Sequence, residues 1–155
     1  MDGKEVHRIP AQELGPRLGL LPQMPIAPED ITVVDLVGRG CSPHRTMFHR
    51  WNKSDEAAVA AALSGTNSLQ IAGRVVGELS GGRRQRVWFT MALAQETDIF
   101  LLDEPATYLD VAHQVEILDL LSDLNERQGT TVVMVLHDLN LAARYANILN
   151  AIKDG

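Results

Sequence analysis

Two adjacent carboxylates, Asp103 and Glu104, directly follow the apolar run Ile99–Leu102. Like charges side by side repel unless a cation or a polarised water offsets them. A magnesium–nucleotide site supplies both, so the pair suits phosphoryl transfer; taken alone, it also suits a solvated strand end. A second candidate is Leu79-Ser80-Gly81-Gly82-Arg83-Arg84-Gln85-Arg86, where a serine and two glycines at a helix start expose backbone N–H groups with no side chain in the way. Such a terminus binds anions, although an ordinary capped helix after a flexible turn would use the same residues. Gln23 and His137 each stand just beyond an apolar run, Leu18–Leu21 and Thr131–Leu136 respectively. In isolation the first is a loop amide and the second a structural hydrogen-bonder.

Positioning these groups requires strands that end beneath them. Leu18–Leu21 reads as the end of a buried strand stopped by Pro22, which has no amide hydrogen for a ladder. Ile99–Leu102 is a continuous apolar strand for which burial on both faces is expected, as in a parallel sheet. Thr131–Leu136 is a β-branched strand. Between them the spacing predicts a helix over Ile31–Val37 capped by Asp30, a loop over Gly38–Asn52, a helix from Asp55 to Leu63 capped by Ser54, and a helix from about Gly82 to Gln95 capped by Ser80. Val111, Val115, Leu118, Leu121 and Leu124 form one apolar stripe on a helix ending near Gly129. Asp138–Tyr145 is a last helix. Strand, helix, strand, helix in the second half indicates an α/β sheet with crossover helices.

The chain has 155 residues, 45% hydrophobic and 22% charged, as expected of one globular domain. Cys41 is the single cysteine, which excludes an internal disulfide framework and suits a reducing compartment. The apolar runs fall far short of the ~20 residues that span a bilayer. No basic region followed by an apolar core opens the chain, so cytoplasmic residence is expected. A net charge of −6 works against phosphate-backbone binding to nucleic acid. Arg83, Arg84 and Arg86 form the one basic cluster, a pattern equally suited to a solvated helix face.

Read in order, Gln23, the Leu79–Arg86 segment, Ile99–Glu104, Leu109-Asp110 and His137 resemble the ABC ATPase family in content, sequence and approximate spacing. The resemblance spans nearly the whole chain. It implies an α/β fold, a partial P-loop NTPase with a mainly parallel sheet and an inserted helical subdomain, lacking the N-terminal strands and the Walker A segment. The implied layout is a single incomplete domain over 1–155. Residues 1–24 end the first core part with the Q-loop, 25–79 form the helical subdomain, and 80–155 carry the signature helix, Walker B, D-loop and switch histidine.

The same resemblance implies the roles. Asp103 holds Mg²⁺ through water, with Gln23 also at the metal and coupling it to the helical subdomain; Glu104 orients and polarises the attacking water; His137 contacts the γ-phosphate. Ser80, Gly81 and Gly82 bind the γ-phosphate of ATP held by a second subunit, and Asp110 sits at the contact between subunits. Two residues depart from the pattern: Arg83 stands where glutamine is usual, and Ala106 where threonine follows Asp-Glu-Pro. Neither change removes a phosphate or metal contact.

No G-x-x-x-x-G-K-[ST] segment occurs in the chain; the only Gly-Lys pair, Gly3-Lys4, is followed by Glu5. The aromatic residue that usually stacks on adenine is absent with it. Against the family both ends look cut, so the chain alone is not expected to hydrolyse ATP at a family-like rate, and missing strands are expected to make it poorly soluble.

Pro28–Val33, Arg39–His44, Tyr108–Gln114 and His137–Ala146 most resemble iron-siderophore, haem and cobalamin importers. The implied partners are transmembrane permease subunits, a second ATP-binding subunit and, indirectly, a periplasmic or lipoprotein receptor, with the protein peripheral on the inner face of the cell membrane. Two other readings remain. One is a catalytically dead module whose Ser80–Gly82 segment completes a partner's site. The other is a soluble ABC ATPase acting on nucleic acid, although the chain has no long heptads, duplicated signature or extensive basic surface.

Overall fold

A computed structural model describes residues 5–21, 28, 30–44, 51–105 and 110–152. Among these residues three strands, β1 (Leu18–Leu21), β2 (Ile99–Asp103) and β3 (Thr131–Val135), form a parallel sheet in the order β1-β2-β3. Among the described residues six α-helices accompany them: α1 (Ala11–Leu14), α2 (Val33–Gly38), α3 (Lys53–Gly65), α4 (Gly81–Leu93), α5 (Val111–Gln128) and α6 (Leu139–Tyr145). Among the described residues, α2, α3 and α4 fall between β1 and β2, and α5 is the one helix between β2 and β3. The expected α/β architecture with an inserted helical segment is present.

One face of the sheet is covered. Leu21, Phe100 and Leu102 are buried with Ile117, Leu118 and Leu121 of α5 and with Val87 and Phe89 of α4. The Phe89 and Phe100 rings lie 6.0 Å apart, an offset that favours their quadrupoles. Gly19 is required here, since a Cβ would come within 2.8 Å of the Phe100 ring and of Thr97 Oγ1. On the opposite face Leu20, Leu101 and Val133 share one row of the register, and Leu20 and Val133 are exposed. The expectation of two-sided burial is therefore corrected for the described residues: only alternate positions of each strand point into the core.

Caps decide where the helices start, and two of them correct the sequence reading. α2 is capped by Thr32, whose Oγ1 accepts from Asp35 N–H, whereas Asp30 lies in a left-handed turn at φ 61°. α3 starts earlier than Ser54 because Asn52 accepts from Ser54 and Asp55 N–H while Asp55 accepts from Asn52 N–H, a reciprocal capping box. The loop expected after α2 contains a 3-10 helix, Arg39–His44, held close to α4. Gly40 makes that approach possible, since a Cβ would sit 2.1 Å from the Met91 carbonyl oxygen. α5 ends as expected at Gly129, in left-handed backbone at φ 72°. Its stripe is shifted, however, with Val111 73% exposed and Ile117 buried in its place.

Cys41 is buried, its thiol facing the carbonyl oxygens of Ala94 and Asp55, which fits a structural thiol. Among the described residues no helix is long and apolar enough to cross a membrane.

Candidate functional site

The carboxyl ends of β2 and β3 lie side by side because Asp103 is in register with Val135. Glu104 is the first residue beyond β2, and His137 lies just past β3. His137 Nε2 meets Glu104 Oε1 across this gap. The two differ in exposure: the Glu104 side chain is 16% exposed and that of His137 74%. A carboxylate is thus fixed in place while the imidazole beside it stays open to a ligand. Ligands of open α/β sheets bind at this end of the strands.

Glu104 adopts left-handed backbone at φ 52°. A non-glycine residue there costs about 1 kcal/mol or more and persists when its surroundings hold it. Sequence alone gives no sign of this turn, which directs the side chain toward His137 rather than onward along β2. Asp103 ends β2 with an exposed side chain.

The Ser80–Gly82 turn opens α4, as expected, with Ser80 at the cap position. Its side chain makes no capping bond there, a difference from the expected role. The turn is braced through the backbone instead: Arg84 N–H donates to Ser80 O, and Arg84 Nη2 donates to Leu79 O at 3.2 Å. No acidic residue occupies the first turn of α4, so the positive end of this helix is not neutralised from within. Of the basic cluster, Arg86 reaches across to Glu116 of α5 at 3.0 Å, and Arg83 is exposed. The sequence reading gave Arg84 no bracing role; its place one turn after Leu79 is the signal that was available.

Asp110 caps α5, its Oδ1 accepting from His113 N–H at 3.0 Å and lying 2.7 Å from His113 Nδ1. The backbone hydrogen bond from His113, and then the contact with its ring, hold the Asp110 carboxyl below the usual carboxylate value. His113 was not among the expected site residues, although its i,i+3 spacing from an N-cap aspartate marks it. Gln23, Ala106 and Leu109 lie outside the described residues. The structure therefore brings Glu104 and His137 together, puts Asp103 beside them in the chain, and holds Ser80–Gly82 and Asp110 at the starts of α4 and α5.

Among the described residues, no group of three or more His, Cys, Asp or Glu side chains could hold a metal ion by itself. A magnesium ion is held in nucleotide sites through one or two carboxylates, with water and phosphate oxygens completing its shell, and Asp103 fits that more modest requirement.

Comparison with known proteins places these features in context. The ABC transporter family matches residues 1–107. Over 154 residues the chain is 54% identical to the probable siderophore transport system ATP-binding protein YusV of Bacillus subtilis (strain 168), covering 99% of this chain and 56% of that protein. It is 50% identical over 155 residues to the ferric enterobactin transport ATP-binding protein FepC of Escherichia coli (strain K12), covering 100% of this chain and 57% of the relative. The chain therefore spans just over half the length of these curated relatives. The dimeric structure of MJ0796, a bacterial ABC transporter cassette, superposes with a TM-score of 0.79 at 28% identity, covering 92% of this chain and 63% of that one.

Proposed function

The chain belongs to the ABC transporter family, and from that premise we propose that it works within the ATP-binding subunit of an importer for ferric siderophores, driving transport by ATP hydrolysis. The observation that carries the proposal is the meeting of Glu104 and His137 at the ends of two adjacent parallel strands, with Asp103 beside them. Phosphoryl transfer needs little covalent help from a protein, so rate comes from positioning and charge stabilisation. Those are what a fixed carboxylate and an exposed imidazole supply.

In this reading Glu104 accepts a hydrogen bond from the attacking water and polarises it. His137, reachable from solvent, donates toward the γ-phosphate and keeps the Glu104 carboxylate oriented. Asp103, with Gln23, holds Mg²⁺, the ion that neutralises charge on the phosphate oxygens of bound ATP. Ser80, Gly81 and Gly82 present the positive end of α4 to ATP held by a second subunit, and Asp110 lies at the contact between the two. A dimeric cassette among the structural neighbours supports that arrangement. By the same reading, residues 25–79 are the helical subdomain that meets a transmembrane permease, within a domain running through 1–24 and 80–155, and the subunit sits on the inner face of the cell membrane. The siderophore assignment draws on the two curated relatives, one of siderophore transport and one of ferric enterobactin transport.

A chimera tests this reading. These residues replace the matching span of the Bacillus subtilis relative, in cells lacking that relative. Restored growth on a ferric siderophore as sole iron source, abolished by Glu104→Gln, is the expected result. Growth that does not return with a stably produced chimera, or that persists in Glu104→Gln, overturns it.

A further inference from the structure

Arg83 and Arg84 are exposed on α4, whereas the Arg86 side chain, in the same basic cluster, is only 16% exposed. Its guanidinium leaves its own helix: Nη2 meets Glu116 Oε2 of α5 at 3.0 Å. Arg127, by contrast, pairs with Asp123 on the helix that carries both. The Arg86 backbone is held as well. Thr90 Oγ1 donates to the Arg86 carbonyl at 2.7 Å and lies 2.7 Å from Thr66 Oγ1, at the end of α3. Both threonines are buried, where a hydrogen bond left unmade is costly. Arg86 is thus the residue at which α3, α4 and α5 meet, and Thr66, Asn67, Arg86 and Glu116 line one recess of about 240 Å³.

α4 and α5 lie side by side and point the same way. Their carboxyl ends meet beside the amino ends of β2 and β3, where Leu93, Asp98, Gln128 and Thr130 share a cleft. Nearer their amino ends the Arg86–Glu116 pair joins them again. Two contacts in the same order along both helices bring the Ser80–Gly82 turn and Asp110 to the same end of the helix pair. At about 1.5 Å of rise per residue, Gly81 stands about 8 Å from Arg86 along α4, and Asp110 about 9 Å from Glu116 along α5.

We propose that Arg86 is a positioning residue for ATP hydrolysis: by gripping Glu116 it fixes the Ser80–Gly82 turn relative to Asp110, so that both meet a second subunit as one surface. The Glu116 side chain is 56% exposed, and an ion pair this open to water contributes little to stability. Its effect is on placement. A turn that must reach ATP held by another subunit loses rate steeply when displaced, by about 10²-fold for about 1 Å. The buried contact between Thr66 and Thr90 extends the same constraint to α3. This inference rests on the reading that Ser80–Gly82 and Asp110 face a second subunit.

The test uses the chimera proposed for the transport reading, with kcat and KM from phosphate release and thermal melts of the same samples. Arg86→Gln and Glu116→Gln should each lower kcat about tenfold, with ATP affinity of the dilute monomer unchanged and the melting midpoint moved by no more than about 2 °C. ATP-driven dimerisation, followed by sedimentation velocity in a Glu104→Gln background, should need about tenfold more protein in either variant. The double variant should be no worse than either single one, since both remove the same contact. Arg86→Lys, which keeps the charge within reach of Glu116, should lose less than half of kcat. If Arg86→Gln proves unstable, Glu116→Gln carries the test, because its side chain lies on the open side of the pair. The proposal is overturned if Glu116→Gln lowers kcat less than twofold, if the two losses multiply in the double variant, or if kcat falls only in step with the melting midpoint. A parent chimera without turnover sensitive to Glu104→Gln overturns the transport reading and this inference with it, whereas the other outcomes bear on Arg86 alone.

Discussion

Glu104 and His137 touch although thirty-two residues of chain separate them, because β2 and β3 pair in a register that ends both strands at the same level. In the chimera described above, Glu104→Gln should lower ATP turnover by about 10²-fold or more, the usual contribution of a positioned acid–base group. Glu104→Asn should be as inactive but keep the melting midpoint, because asparagine accepts the φ 52° backbone that glutamate is held in. Steady-state phosphate release and thermal melts of the same samples check both halves.

The open row Leu20, Leu101 and Val133 on a sheet otherwise packed on one side predicts self-association of the isolated chain. Leu20→Lys with Val133→Lys should raise the soluble fraction severalfold without loss of helical circular dichroism, because neither side chain contributes to the buried face. Sedimentation velocity at micromolar concentration distinguishes a monodisperse variant from an aggregating parent; a monodisperse parent would contradict the prediction.

In that soluble background, Gly40→Ala should destabilise the chain by about 2 kcal/mol or more. Its new methyl would have to displace the Met91 carbonyl, which lies 2.1 Å from where the Cβ must go. Gly81→Ala is the control, since nothing lies within 4 Å of its Cβ position. Urea unfolding followed through the buried Trp88 reads the difference.

Asn52→Ala removes two accepted hydrogen bonds from the start of α3 and leaves the buried Asp55 with half of its capping box. The expected loss is about 1 kcal/mol. Ser54→Ala, at the position that the sequence favoured as cap, should change stability little. Equal losses in the two variants would show that the cap has been misassigned.

Tyr145 of α6 donates its phenol hydrogen to Asp119 of α5 at 2.6 Å, and this bond raises the phenol's pKa above its ordinary value. A raised pKa means that the folded chain favours the protonated phenol. The resulting stability is complete below the unfolded value of about 10 and is lost as pH rises through the higher folded value. Tyr145→Phe should abolish that part of the alkaline loss, seen as a flatter dependence of urea midpoint on pH above about 9.5.

The strands were legible because their apolar runs are short and bounded: Leu18–Leu21, Ile99–Leu102 and Thr131–Leu136 each match an observed strand to within one residue. Gly129 marked the end of α5 because few other residues take its conformation. The caps were less legible. Asp30 and Ser54 are good capping types, but Thr32 and Asn52 have the geometry, and sequence cannot weigh two eligible neighbours. The exposure of Val111 follows from its place at the first turn of α5, outside the span packed on the sheet. At the site, the positions of Glu104 and His137 beyond strand ends were readable, whereas their contact depends on register and on the left-handed turn at Glu104. His113 and Arg84 carry local spacing signals, three residues after Asp110 and five after Leu79, but only the geometry shows that these spacings become contacts.

β1 and β2 are neighbours in the sheet, yet α2, α3 and α4 lie between them in the chain, whereas among the described residues one helix, α5, lies between β2 and β3. Loop closure grows more costly with intervening length, and distant pairings slow folding. The β2–α5–β3 unit is thus the natural nucleus, and β1 can join it only after the intervening helices have collapsed enough to bring Leu18 back to Ile99. Closure cost alone therefore favours an order of assembly opposite to the order of synthesis.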